Sequence, residues 1–193
     1  MASYIKAGVT AGASCDSTTS NVGAALKAGY VFADVANRSR GLVGADGSAP
    51  GTAPAAVVDA KAAVRYPRLN DAVMPGSAER IVVNGTSGGG ALSTVLGAAG
   101  NDSEYDPYLA AIGAAGIDTA GHSTLRDDML AVNAYCPITD LGNAYVAYEW
   151  LDDILRTRDA TGSNAHPADA AEIAARFAAY EKALNCATRT ARP

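Results

Sequence analysis

The segment Arg80-Ile-Val-Val-Asn-Gly-Thr-Ser87-Gly-Gly-Gly-Ala-Leu92 constrains this chain more than any other. A short apolar run ends at Asn84. Gly85-Thr-Ser87-Gly-Gly89 follows, and small residues then continue through Ala99. The run predicts a strand over Arg80–Asn84, and the small residues predict a helix over Gly89–Ala99. A serine at such a strand-to-helix turn must take a strained backbone conformation that lifts its hydroxyl above the sheet. Glycines on either side are expected to let strand and helix approach without Cβ clashes. The Gly88 amide and the helix dipole would favour a developing oxyanion there. Two other readings stay open: a passive serine in a Gly-rich turn, and a phosphate-cradling loop. No GxGxxG sits at this junction and no GxxxxGK[ST] is present, which weakens the second.

Around this turn the patterns alternate between strand and helix. Tyr4–Val9 reads as a strand leading into the loop Thr10–Ser20. Asn21–Ala28 reads as a helix stopped by Gly29. Tyr30–Ala36 is aromatic and β-branched and reads as a buried strand. Asn37–Thr52 is a loop. Ala53–Asn70 is expected to be helical, with Val57, Val58, Ala62, Val64 and Leu69 on its apolar face and Asp59, Lys61 and Arg65 elsewhere. Pro67 should end or kink it near Tyr66. A short helix is expected near Tyr108–Ala115. Leu125–Val132 reads as the end of a helix entering a strand at Ala131–Cys136. Helices are expected around Asn143–Arg156 and over Pro167–Leu184. This alternation predicts an α/β fold, a parallel sheet flanked by helices. The four strands should run parallel, with Arg80–Asn84 between two of the others. Residues 1–140 are expected to form this core and residues 141–193 a helical cap or insertion.

Composition narrows the function classes. A chain of 193 residues with net charge −5 lacks the basic stripe that phosphate backbones require, so no nucleic-acid partner is expected. At 49% hydrophobic and 18% charged residues the composition is globular. Cys15, Cys136 and Cys186 are spaced too widely for a CxxC zinc site, so no metal is expected, and Cys136 reads as an inert core thiol. No run reaches the ~18 apolar residues of a membrane span. Met1–Lys6 lacks the basic and apolar regions of a signal peptide. A leader could have been removed, so the compartment is open, with secreted or periplasmic locations compatible.

Several blocks together resemble bacterial tannases of the subtype B group, α/β-hydrolases related to feruloyl esterases. These blocks are Ala53–Tyr66, Arg80–Leu92, Gly97–Asn101, Ala131–Thr139 with its Tyr-Cys-Pro-Ile, and Ala147-Tyr-Glu-Trp150. The match runs through most of Tyr4–Trp150. The resemblance implies an α/β-hydrolase core and a serine esterase acting on galloyl or related aromatic-acid esters, with no organic cofactor. It assigns Ser87 as nucleophile and Gly88 as oxyanion donor, where relatives often carry Ala. A second oxyanion donor would map to Thr10-Ala11-Gly12.

In that fold the acid and histidine follow the serine in the chain. The resemblance places them on later strands than this chain is expected to contain. The chain thus reads as the truncated central piece of a hydrolase, with a second chain as one source of the missing residues. Among local candidates, Asp140 follows the strand ending at Cys136, and His166 precedes the last helix. Both also read as turn or pre-cap residues. His122 is expected at the far end of the sheet from Ser87. Arg38 and Arg40 could hold a carboxylate, line the cleft or bond loop carbonyls. Tyr148-Glu149-Trp150 reads either as the start of an aromatic-binding cap or, as the residues favour, with Trp150 packing a cap helix on the core. Asn101-Asp-Ser103 fits a glycosylation acceptor, with nothing to indicate a glycosylating host. A different class also fits: a non-catalytic binding or assembly module that keeps the turn without a triad.

Overall fold

The computed structural model describes residues 21–39, 41–142, 144, 147, 151 and 170–184. The chain divides into two compact units, Met1–Pro137 and Ile138–Pro193. In the first unit the described order is α1 (Asn21–Lys27), α2 (Ala55–Leu69), β1 (Val82–Thr86), α3 (Gly88–Ala98), a 3-10 turn (Ser103–Tyr105), α4 (Asp106–Ala111) and β2 (Ala131–Tyr135). The second unit carries α5 (Ala170–Leu184). There Phe177 is buried, its ring centroid 6.3 Å from that of Tyr180.

Among the described residues the sheet is the parallel pair β1–β2, with Val82 opposite Ala131 and Thr86 opposite Tyr135. The parallel pairing requires a crossover, and α3 provides it by packing on both strands. Small side chains make that packing close. A Cβ on Gly97 would lie 2.4 Å from Val132 Cγ2, and one on Gly90 would lie 2.8 Å from the Tyr135 carbonyl oxygen. α2 and α4 add the next layer. Val58, Val64, Leu96 and Leu109 are buried between these helices.

Most expected elements are present with shifted ends. Gly29 ends α1 at φ 81°, with Tyr30 N–H donating to Ala25 O (2.9 Å) and Gly29 N–H to Leu26 O (3.0 Å). This is the left-handed cap that only glycine adopts without cost. Pro67 does not stop α2, which runs to Leu69. It sits in the last turn, where only one ladder bond is lost, and Asn70 closes the end on the Tyr66 and Pro67 carbonyls.

Other expectations are corrected. Tyr30–Ala36 forms no strand, and Tyr30, Val31, Phe32 and Val35 are exposed. β-branched and aromatic residues favour a strand only when a ladder partner is available, and none pairs with this run among the described residues. The strand expected at Tyr4–Val9 lies outside them, as does most of the helix expected around Asn143–Arg156. Leu125–Leu130 is not helical but an extended approach to β2, fixed by Leu130 N–H donating to Ile81 O at 2.9 Å. Cys136 is an exposed free thiol at φ 44°, not a core thiol, because the chain turns as it leaves β2.

The face of α2 is also corrected. Leu69 is exposed, whereas Lys61 and Arg65 are 0% and 1% exposed. Both cations meet Asp127, Lys61 Nζ at 2.7 Å and Arg65 Nε at 2.9 Å. Lys61 also donates to Ala99 O at 2.5 Å. Asp127 and Asn101 bond each other's backbone amide, each at 2.8 Å. The network therefore fastens the chain leaving α3 to α2 and to the approach to β2.

Candidate active site

Ser87 stands between the last residue of β1 and the first of α3, at φ 58° and ψ −117°. A non-glycine residue there is strained, and the surroundings hold it in place. Its N–H donates to the Tyr135 carbonyl at 2.9 Å, which ties the turn to the end of β2. Its carbonyl accepts the Ala91 amide at 3.0 Å, the first bond of α3. Ser87 itself is exposed.

The glycines divide the work differently from expectation. A Cβ on Gly85 would lie 2.1 Å from Gly89 O and 2.6 Å from Ser93 Oγ. Gly85 therefore lets β1 and α3 meet at this angle. A Cβ on Gly89 would meet nothing within 4 Å. On the helix side the close approach belongs to Gly90. Gly88 also has open space at its Cβ, so an alanine would fit there. As the first residue of α3, Gly88 presents an amide without an intrahelical partner at the positive end of the helix dipole. Serine hydroxyl and amide thus sit on adjacent residues at one helix terminus.

The other expected residues distribute as follows. Thr10, Ala11, Gly12 and His166 lie outside the described residues, as do Arg40 and Trp150. Asp140 belongs to the second unit. It has φ 47° and accepts the Tyr180 hydroxyl at 3.4 Å. His122 is exposed, and its amide donates to Asp118 Oδ1 at 2.9 Å. That bond and the Ala120 amide hold the Asp118 carboxyl below its usual range despite some desolvation. The neighbouring Ser123 hydroxyl bonds Arg65 Nη2 (2.5 Å) and Asp106. This places the His122 turn with the Lys61–Arg65–Asp127 network, at the C-terminal end of α3. Eleven residues of helix, ~16 Å at 1.5 Å per residue, separate that end from Ser87. Arg38 is paired within the fold, with Asp59, through Nε (3.0 Å) and Nη2 (2.8 Å).

The buried network was not legible as a site. Its signal is Lys61, Arg65 and Arg68 at helical spacing on α2, with the tandem Asp127-Asp128. Such a pattern ordinarily reads as a solvated face. Burial pushes the Asp127 carboxyl up, but Lys61, the Asn101 amide and Arg65 together bring it below its usual range. Arg126, with help from Arg68, lowers Asp128 to about 2. Among the described residues no cluster of His, Cys, Asp and Glu could hold a metal ion, and no helix is long and apolar enough to cross a membrane.

The BD-FAE family model matches residues 8–155. A solved tannase from Fusobacterium nucleatum is 55% identical with a TM-score of 0.59, covering 67% of this chain and 25% of the tannase. A tannin acyl hydrolase from Lactobacillus plantarum is 44% identical with a TM-score of 0.58, covering 69% of this chain and 28% of the other. A tannin acyl hydrolase in complex with ethyl gallate is 43% identical with a TM-score of 0.59, covering 72% and 30%. The chain therefore spans 25% to 30% of the length of these enzymes. No curated protein matches it.

Proposed function

Because the chain belongs to the BD-FAE esterase family and shares the α/β-hydrolase fold of the tannases, we propose that it supplies the nucleophile of a serine carboxylic ester hydrolase acting on galloyl or related aromatic-acid esters. The observation that carries this reading is Ser87 at φ 58°, ψ −117°, between a parallel strand and a helix N-terminus. In the proposed reaction Ser87 Oγ attacks the ester carbonyl. The Gly88 amide stabilises the oxyanion, with a second donor from Thr10-Ala11-Gly12. The alcohol leaves, and water then releases the aromatic acid from the acyl-enzyme. Relatives crystallised with ethyl gallate and with 3,4-dihydroxybenzoate support a small aromatic ester or acid as the ligand class.

A serine hydroxyl is a weak nucleophile at neutral pH without a base. His122 lies at the opposite end of α3. We therefore assign the base and acid to the later strands of the tannase fold, supplied by a longer parent chain or by a second polypeptide. Asp140 and His166 are the local alternatives. The position of His122 also favours a second reading, a binding or assembly module without turnover.

Methyl gallate hydrolysis separates these readings. The chain alone should turn over negligibly. Adding a polypeptide with the later tannase strands should restore hydrolysis, and Ser87→Ala should remove it. Robust hydrolysis by the chain alone, lost in both Ser87→Ala and His166→Ala, would make His166 the base and the chain self-sufficient. Hydrolysis that survives Ser87→Ala would end the proposal, and a mixture that never hydrolyses would favour the module.

A further inference from the structure

A cleft of about 210 Å³ opens between the loop before α2, the first turns of α2, and α4. Its floor is Val58, which is 1% exposed. Pro50, Pro54, Tyr108 and Ile112 also line it, the last two substantially exposed. Arg38 lines it as well. None of these residues takes part in the Ser87 turn.

The shape and chemistry of the cleft select a ligand. The volume suits one substituted six-membered ring and is smaller than the ~300–1,000 Å³ of pockets for drug-sized ligands. Two prolines and a tyrosine among the lining residues favour an aromatic ring, whose face packs on a phenol ring and on proline C–H groups, over a saturated one. The charge of Arg38 is already balanced. Asp59 Oδ1 accepts Arg38 Nε and Nη2, and Asp59 Oδ2 accepts the Arg38 backbone amide at 2.7 Å. An added anion would meet the Asp59 carboxylate beside the guanidinium. Arg38 Nη1 has no partner among the described residues, so it offers donors to an uncharged oxygen such as a phenol or ester carbonyl.

We propose that this cleft is an accessory, non-catalytic site for one uncharged phenolic ring of the substrate or product. The choice of a phenol rests on the proposed ester-hydrolase reading; the shape and charge of the site do not. The site would bind a single ring independently of Ser87.

The test is a titration of isotopically labelled Ser87→Ala protein with methyl gallate, followed by NMR shifts of the Tyr108 ring and the Thr52 and Ile112 amides. Methyl cyclohexanecarboxylate is the non-aromatic control. Saturable shifts at these positions are expected, with the control at least about tenfold weaker. Ala111 is exposed and lines the cleft, so Ala111→Phe should fill it and weaken methyl gallate by a similar factor. Tyr108→Ala removes a lining ring and should do the same, which covers the case of a misfolded Ala111→Phe. The proposal is overturned by the absence of saturable shifts here, by equal binding of the saturated ester, or by two folded variants that both bind as the parent does. Ser87-dependent hydrolysis without shifts at this cleft would sink this inference alone. Shifts here without Ser87-dependent hydrolysis in the mixture would sink the catalytic reading alone.

Discussion

Replacing Asp127 with asparagine removes the carboxylate shared by two buried cations. Lys61 and Arg65 are 0% and 1% exposed, and Asp127 is 1% exposed. Deleting one member of a buried ion pair costs ~3–5 kcal/mol, because the remaining charge is left without compensation. Here two charges are left, so the upper part of that range is expected. It would consume much of the ~5–15 kcal/mol by which a domain is stable. Lys61→Met is the informative comparison. It removes one cation but keeps an unbranched aliphatic side chain of similar volume, while Asp127 keeps Arg65 at 2.9 Å and the Asn101 amide at 2.8 Å. Its cost should be smaller by at least about 2 kcal/mol. Urea unfolding at pH 7 measures both. The acid limb provides an independent check. Asp127 has a folded pKa below its unfolded value near ~3.9, so its contribution is complete above that value and lost as pH falls through the folded pKa. Asp127→Asn should flatten stability against pH in that window and leave the slope above pH ~5 unchanged. An Asp127→Asn protein within about 1 kcal/mol of the parent would refute the reasoning. So would a Lys61→Met protein that is the less stable of the two.

Ser87→Gly should be more stable than Ser87→Ala by ~1 kcal/mol, since only glycine escapes the strain at φ 58°. In a chain of this size the melting temperatures should differ by ~2–4 °C, and an Ala variant that melts higher would show that the turn is unstrained. Gly85→Ala forces a Cβ to 2.1 Å from Gly89 O and should cost ~3 kcal/mol or more, whereas Gly88→Ala meets open space and should stay within ~0.5 kcal/mol; calorimetry of the pair tests the difference. His122→Ala should leave methyl gallate hydrolysis in the reconstituted mixture unchanged, and a loss of tenfold or more in kcat would place His122 in the reaction.

What could be read from sequence was local. The β1–Ser87–α3 turn is legible because an apolar run, a Gly-x-Ser-x-Gly and a string of small residues are adjacent, and each acts on its neighbours. The position of α2 is legible from its length and periodicity. Its buried face is not, because Lys61 and Arg65 are buried by a carboxylate 66 and 62 residues away. No window on α2 contains that partner. Tyr30–Ala36 fails for the same reason: strand formation depends on a neighbour in space, and the residue types report only suitability for a pleated surface. Cys136 was misjudged because a thiol after an apolar strand suggests burial, while the turn at φ 44° carries it outward.

The candidate site divides along the same line. Its shape is held by short-range contacts and one strand pairing: Gly85 against Gly89, Gly90 under the Tyr135 carbonyl, and the Ser87 amide on that same oxygen. One helix and two strands are enough to hold the serine in its strained conformation beside a free amide. Activation of the hydroxyl depends on a different kind of contact. It requires a base within hydrogen-bond reach of Oγ, and His122 is held at the opposite end of α3 by the network around Arg65. The turn geometry at Ser87 and the means of activating its hydroxyl are therefore separable. The serine conformation and the adjacent amide depend on β1, α3 and the end of β2, whereas a base would have to be brought to Oγ from elsewhere in the fold.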